Sequence, residues 1–426
     1  MMLAPTRYRL VVLLLVLFGG CIATTTCTAE DWTEFRGPGG HGHSDAATLP
    51  LTWSETENIA WKTPIAGDGW SSPVVTGGTI FLTTATAIED GADKARSLHA
   101  LCIDADGGQI LWDREVFRQS GENIQMHKKN SHASATPVLR DDRLYVHFGP
   151  SGTACLTTDG EVVWKTQTLT FKPVHGNGGS PVLCDDTLIV TCDGGDQQFV
   201  AGISATTGDV VWKTDRRADV RKGFSFSTPT LIEVDGQMQA VCPGSGAVVA
   251  YDCETGRELW HVDYGEGYSV VPRPVYANGL VFVSSGYDSA SLYAIDPTGR
   301  GDVTESHVRW TMDKGVPKTP SMLAVGDELY FVDDAGVASC VDAATGQLHW
   351  KKRLGGKYSA SPFYGGGRIY FQSETGTTTV IAPGKKYSEL AVNDLGDDDR
   401  TFASFAVVDD AILLRSETQL YRIETE

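Results

Sequence analysis

Past residue 18 the 426-residue chain never gathers the ~18 consecutive apolar residues that a membrane-crossing helix needs. It also lacks a G-x-S-x-G pattern, so the usual strand-to-helix hydrolase nucleophile is missing. Positive charge is scarce: 35 Lys and Arg stand against 54 Asp and Glu, a net of −19, which would repel a phosphate backbone and argues against nucleic acid as a partner. Long helical patterns are absent too, because 47 glycines cut the chain into short runs better suited to strands and turns.

What is present is one phrase, repeated. It reads clearly from Leu101 to Trp112, from Ala250 to Trp260 and from Cys340 to Trp350, and more weakly in copies ending at Trp164, Trp212 and Trp310. A period of roughly 40 to 50 residues marks stacked supersecondary units that bury their apolar faces only against one another. Each unit opens on Ser/Thr-Pro or a variant, as at Ser72, Thr136, Ser180, Thr228, Arg273, Thr319 and Ser361. A polar turn, a β-rich run and the phrase itself follow, hinged on Asp-x-x-(Thr/Asp)-Gly. Short runs punctuated by turn residues every ~8–12 positions indicate antiparallel meanders. Seven units are complete, and the C-terminus adds three strands, 402–408, 411–415 and 420–424, without a fourth. The missing strand is found around Trp61, at 58–62. Ring closure removes exposed sheet edges, so the expected fold is all-β: an eight-bladed propeller of four-stranded antiparallel blades, the last closed by N- and C-terminal strands. Blade 7 departs from the pattern, with no tryptophan in its outer strand near 389–395. The tryptophans Trp61, Trp112, Trp164, Trp212, Trp260, Trp310 and Trp350 are read as inter-blade packing rather than as a substrate platform. Cys102, Cys155 and Cys340 align with Ala250, Ala294 and Gly202, so they read as small buried fillers, and no structural disulfide is expected.

The N-terminus resembles an export signal, with Arg7 and Arg9 ahead of a short apolar run at 10–18. Two processing readings stand side by side. One is cleavage after Ala29, giving a 1–29 signal peptide. The other is a lipobox at 17–21, giving a 1–20 lipoprotein signal with Cys21 lipidated. Residues 30–57 read as a Gly/Pro-rich, flexible lead-in, and 58–426 as a single propeller domain. Trimming before Thr52 is therefore expected to be harmless, whereas deletion of 402–426 is expected to open the ring. The G-x-G-x-x-G match at 37–42 lies outside any βαβ unit and is not read as a dinucleotide site. Likewise His41 and His43 are not read as a metal pair, and Asp104 to Gly107 is read as the repeat turn rather than a calcium loop.

The repeated phrase resembles the tryptophan-docking repeat of the pyrroloquinoline quinone (PQQ)-like β-propellers, over a span from about Ile59 to the end. That resemblance implies one of two branches: quinoprotein dehydrogenases, which bind PQQ and calcium, or non-catalytic envelope proteins similar to the BamB-type lipoproteins of outer-membrane assembly. The dehydrogenase branch usually carries adjacent cysteines over the cofactor, and this chain has no Cys-Cys pair. The expectation is accordingly a monomeric scaffold with no catalytic residue, no metal site and no cofactor. It would be exported to the periplasm or cell envelope, with a membrane tether through an N-terminal lipid in the lipobox reading. There it would bind a protein or polymer, without nucleic acid. The alternative is a PQQ- or other anion-binding oxidoreductase. Basic segments lead into the innermost strands, and an acidic body with a basic mouth would focus anions there. The candidate lining is Trp70, His127, Lys128, Lys129, His132, Lys172, His175 and Arg273.

Overall fold

The Asp-x-x-Thr-Gly turn explains how one blade grips the next. In the computed structural model, Asp252 Oδ1 accepts both the N–H and the hydroxyl of Thr255 at 2.9 and 2.7 Å, and Asp342 does the same for Thr345. Gly256 follows with φ +69°, and a Cβ there would sit 2.3 Å from the Trp212 ring of the preceding blade. A side chain at this point would thus strain the backbone and strike the indole. The indole N–H completes the joint. Trp61, Trp112, Trp164, Trp212, Trp310 and Trp350 each donate to a turn carbonyl one blade on, at 2.8 to 3.1 Å. Trp260 alone among the seven turns inward, to Gln239 Oε1 at 2.8 Å within its own blade. Directly across the strand pair, Trp112, Trp164 and Trp350 face Cys102, Cys155 and Cys340, while Trp212, Trp260 and Trp310 face Gly202, Ala250 and Ala294. The small residue leaves room for the indole. The seven described cysteines are all buried and unbonded.

The structure describes residues 1, 31–89, 94–120, 125–216, 220–288, 290–396 and 399–425, so the signal segment and Cys21 lie outside the described residues. Eight antiparallel blades form the ring. Blade 1 holds 74–119, blade 2 138–166, blade 3 182–215, blade 4 230–263, blade 5 275–312, blade 6 323–353 and blade 7 363–393. Blade 8 joins 406–423 to the N-terminal strand Ile59–Pro64, which pairs with Gln419–Ile423 as the sequence anticipated. One register differs from the sequence reading. Blade 6 begins its inner strand at Leu323–Val325, so its opening residue is Ser321 and not Thr319.

Those opening residues form a girdle around the channel. The N–H of Ser72 donates to Thr136 Oγ1, Thr136 to Ser180, Ser180 to Thr228, Arg273 to Ser321, Ser321 to Ser361, Ser361 to Ser404, and Ser404 back to Ser72, at 2.9 to 3.1 Å. The hydroxyl therefore matters as much as the proline beside it, because it satisfies a buried backbone donor of the neighbouring blade. The link from Thr228 into blade 5 is not made, since Arg273 holds the hydroxyl's place and has none.

The flexible reading of residues 30–57 is overturned from Asp31 on. The segment crosses the end of the ring where each innermost strand turns. Trp32 O accepts Val75 N–H of blade 1 and Thr33 O accepts Leu139 N–H of blade 2, at 2.7 and 2.8 Å. Arg36 Nη2 reaches Met322 O at 2.6 Å, His43 Nε2 lies 2.7 Å from Ala324 O, and Gly42 and Ser44 exchange backbone bonds with Tyr364 of blade 7. Trp32, Arg36 and Trp53 are buried. The glycines that resemble a linker let the backbone lie this close to the ring.

One buried histidine sets a pH limit on this core. His147 lies in blade 2 with Nδ1 2.9 Å from Thr153 Oγ1, and burial pushes its pKa down from 6.5 to about 4. The unfolded chain takes up the proton below 6.5 and the folded one only near 4. Its contribution is thus complete above 6.5 and is lost as pH falls through that window, by at most about 3 kcal/mol. Urea midpoints should fall between about pH 7 and pH 4, and fall less for His147→Gln. Parallel profiles for the two proteins would contradict this assignment.

Candidate functional site

The ring encloses a funnel of about 960 Å³. Its floor is Phe35, held in place because Arg273 sends its guanidinium downward: Nη1 donates to Phe35 O, Nη2 pairs with Glu34 Oε2 at 2.7 Å and Nε donates to Pro229 O at 3.0 Å. The blade that lacks the girdle hydroxyl is thus the blade that fastens the floor.

Of the eight candidate residues, Trp70, His127, Lys128, Lys129 and His175 line the funnel. The other three do not. His132 turns to Gln119 Oε1 at 2.5 Å, Lys172 is exposed on a loop fastened to Asp196 and Gly195, and Arg273 is buried beneath the floor as described. Basic character in a loop does not say which way a side chain turns, and Arg273 turns away from the mouth to Glu34 and the carbonyls of Phe35 and Pro229. Apart from Trp70, the innermost wall escaped sequence reasoning, and it has a register. Side chains alternate in extended backbone, and in the segments that lead into the innermost strands the residue two positions before each girdle residue faces the channel. Those positions are Trp70, Ser134, Gly178, Phe226, Val271, Thr319, Ser359 and Phe402, and all eight line the funnel. Phe224, Tyr268 and Tyr287 add to the aromatic surface, and Lys222, Lys318 and Lys357 to the cationic mouth.

Several cations lie over rings. Lys222 Nζ sits 4.2 Å from the Tyr268 ring centre and 2.8 Å from its hydroxyl, Lys318 lies 4.8 Å over Tyr287, and Arg400 stands 5.7 Å from Trp70 and 5.6 Å from Phe402. Such pairs gain roughly 0.5–1 kcal/mol each at exposed sites and hold the cation at the ring face. Lys129 is neutralised by Glu374 at 2.7 Å and Arg400 by Glu417. Lys128 and Lys357 are exposed at the mouth with no described carboxylate within pairing distance. The His127 and His175 rings lie 5.4 Å apart, and burial followed by His175 lowers the His127 pKa.

The funnel can therefore receive an anionic or aromatic group. It is a poor calcium cage. Calcium takes six to eight oxygens with carboxylates among them, and the lining carboxylates are Asp333 and Asp334. Asp334 accepts from Thr319 Oγ1 and from the N–H groups of Lys318 and Thr319, while Asp333 Oδ1 accepts from Ala335 and Val337 N–H. Both are occupied, Asp333 in shaping its own turn and Asp334 in tying that turn to the segment that leads into blade 6. The residues present do not fit a PQQ–calcium pair, although the anionic half alone would meet suitable partners.

A family model described as "Outer membrane protein assembly factor BamB" matches residues 96–321 and 289–386. Tetrathionate hydrolase of Acidithiobacillus ferrooxidans is 22% identical over 342 residues, covering 74% of this chain and 65% of that protein. Quinohemoprotein alcohol dehydrogenase ADH-IIG of Pseudomonas putida is 26% identical over 186 residues, covering 38% and 25%. The chain thus spans less than two thirds of either relative. Outer membrane protein assembly factor BamB of Burkholderia pseudomallei is 24% identical over 322 residues, covering 72% of this chain and 73% of that one. Among solved structures, BamB from Moraxella catarrhalis superposes with a TM-score of 0.59 at 13% identity, covering 86% of this chain and 99% of that one. A europium-containing methanol dehydrogenase gives 0.68 at 12% identity, covering 90% and 89%. At such identities the likeness is one of fold alone.

Proposed function

Because the chain belongs to the β-propeller family described as outer membrane protein assembly factor BamB, we propose that it is a non-catalytic scaffold of the cell envelope that takes an acidic segment of a protein or polymer partner into its funnel. The observation that carries this reading is the pairing of a cationic, aromatic mouth with lining carboxylates already committed to neighbouring backbone and hydroxyl groups. Such a surface attracts anions over an acidic body and offers ring faces to whatever enters. A floor built from the chain's own N-terminal segment makes the funnel a socket for a partner's end or loop, not a passage. Export through the 1–29 segment, or tethering through Cys21, would place the ring on the side of the membrane where such partners reside.

A photo-cross-linking residue at Tyr287, in the mouth, should give a discrete adduct in native envelopes, and one at Val211 on the outer rim should not. Lys128→Glu with Lys357→Glu should weaken that adduct several-fold and remove its salt dependence. Equal labelling at both positions would sink the scaffold reading. So would saturable binding of PQQ with calcium accompanied by dye-linked alcohol oxidation, which would favour the dehydrogenase relatives instead.

A further inference from the structure

Blade 4 breaks the four-strand rule. Its outer strand, Glu258–Asp263, gains a second neighbour, Gly301–Asp302, as a fifth strand of the sheet, running parallel with Trp260 opposite Gly301 and His261 opposite Asp302. The extra strand comes from residues 296–307 of blade 5, a segment longer than the tight turn at this point in blades 4 and 6. The insertion covers Trp260, which accounts for its inward-facing indole, and it does one thing more. It carries Asp302 to His261 and Asp263, whose metal-binding atoms then all lie within 4.8 Å of one another.

We propose that His261, Asp263 and Asp302 bind a divalent ion of the zinc class, which fastens the blade 5 insertion to the rim of blade 4. His261 and Asp263 are two apart on one strand and so share a face. The His261 side chain is only 4% exposed, and Nδ1 lies 2.7 Å from Glu258 Oε1. An ionised carboxylate can only accept, so the proton sits on Nδ1 and the Nε2 lone pair is the free one. Nε2 stands 3.9 Å from Asp302 Oδ1, too far for a hydrogen bond and suited to two ligands of one ion between them. An orienting carboxylate behind a ligand imidazole is the arrangement that metal-binding histidines use. Asp302 is oriented in turn: its Oδ1 accepts Thr304 N–H at 3.0 Å, and Thr304 Oγ1 accepts Asp263 N–H at 3.0 Å. Zinc bonds to nitrogen and oxygen are about 2.0–2.2 Å, so small side-chain rotations of the exposed aspartates would close the set, with water completing the shell. One imidazole and two carboxylates suit zinc or manganese, whereas calcium would ask for an all-oxygen cage.

The test is calorimetric titration of the chelator-stripped full-length protein with zinc chloride, alongside thermal unfolding with and without the ion. The wild type should take up one equivalent that Asp302→Asn loses by tenfold or more, and Glu258→Gln should weaken the same equivalent by about 10- to 100-fold. Zinc should raise the melting temperature of the wild type and not that of Asp302→Asn. Asp302 is 65% exposed, and comparing the metal-free melting temperatures of Asp302→Asn and the wild type separates loss of the ion from loss of fold. Absence of zinc uptake overturns the site. Uptake that Asp302→Asn leaves unchanged overturns it equally, by assigning the ion to other histidines such as His127 and His175.

Discussion

Deletion of residues 402–426 should abolish cooperative folding of the entire ring, although it removes a small part of the chain. Three strands leave with it, and Ile59–Pro64 loses the partner with which it is paired from Ile423 to Gln419. Phe405, Val407, Val408, Ile412, Leu413, Leu414, Leu420, Tyr421 and Ile423 all belong to one buried cluster that reaches into blades 1 and 7 and the N-terminal segment. At about 1.5–3 kcal/mol per large buried side chain their loss exceeds ~10 kcal/mol, against a total stability of roughly 5–15. The buried Arg415 would no longer hold Ser71, and the girdle would open where Ser404 meets Ser72. Circular dichroism of the truncated chain should show no sharp thermal transition. An unchanged melting temperature would mean that blade 8 does not close the ring.

The second large effect lies in a segment with no repeat at all. Trp32→Ala should cost about 3–5 kcal/mol, the range for emptying a buried aromatic site. Trp32 is 1% exposed, packs in the cluster that joins blade 8 to blade 1, and stacks on Gly37, where a Cβ would come within 2.7 Å of the ring. Its indole N–H meets no acceptor, so Trp32→Phe keeps most of the packing and loses no hydrogen bond. That variant should stay within about 1.5 kcal/mol of the wild type. Chemical denaturation of the two variants separates packing from mere presence of the segment. Equal stability of Trp32→Ala and wild type would restore the view of this segment as a loose leader. Gly40 makes the same point from the other side. Its φ is +71°, and a Cβ there would fall 2.0 Å from Arg273 Cζ, so the glycine is what admits the guanidinium that holds the floor.

The ring was legible because its signals are local and repeated. A tryptophan, a small residue across from it and an Asp-x-x-Thr-Gly turn occur at fixed spacing, and several imperfect copies reinforce one another. Blade 8 could be completed on paper because three strands and one strand were left over at opposite ends. The funnel was half legible. Basic loops led to Lys128, Lys129, His127 and His175, but the aromatic wall follows the alternation of the extended segments that lead into the innermost strands, and Phe226 and Phe402 emerge only once Thr228 and Ser404 are placed in the girdle. Arg273 was assigned to the mouth by its charge and neighbours. The structure turns it the other way, because at that blade the buried partners are Glu34 and the carbonyls of Phe35 and Pro229.

The sequence by itself determined the number of blades, the strand order within them, the joint between neighbours and the closure of the ring. Each of these depends on contacts between adjacent units, and adjacency along the chain encodes it. Only the tertiary structure decided which end of the channel is closed, which side chains face into it and which residues of blades 4 and 5 meet at the rim. Those outcomes bring together residues as distant as Glu34 and Arg273, through the curvature of a closed ring that no single repeat contains. A glycine-rich leader and a buried floor can share one composition, because burial depends on the surface the rest of the chain presents to it.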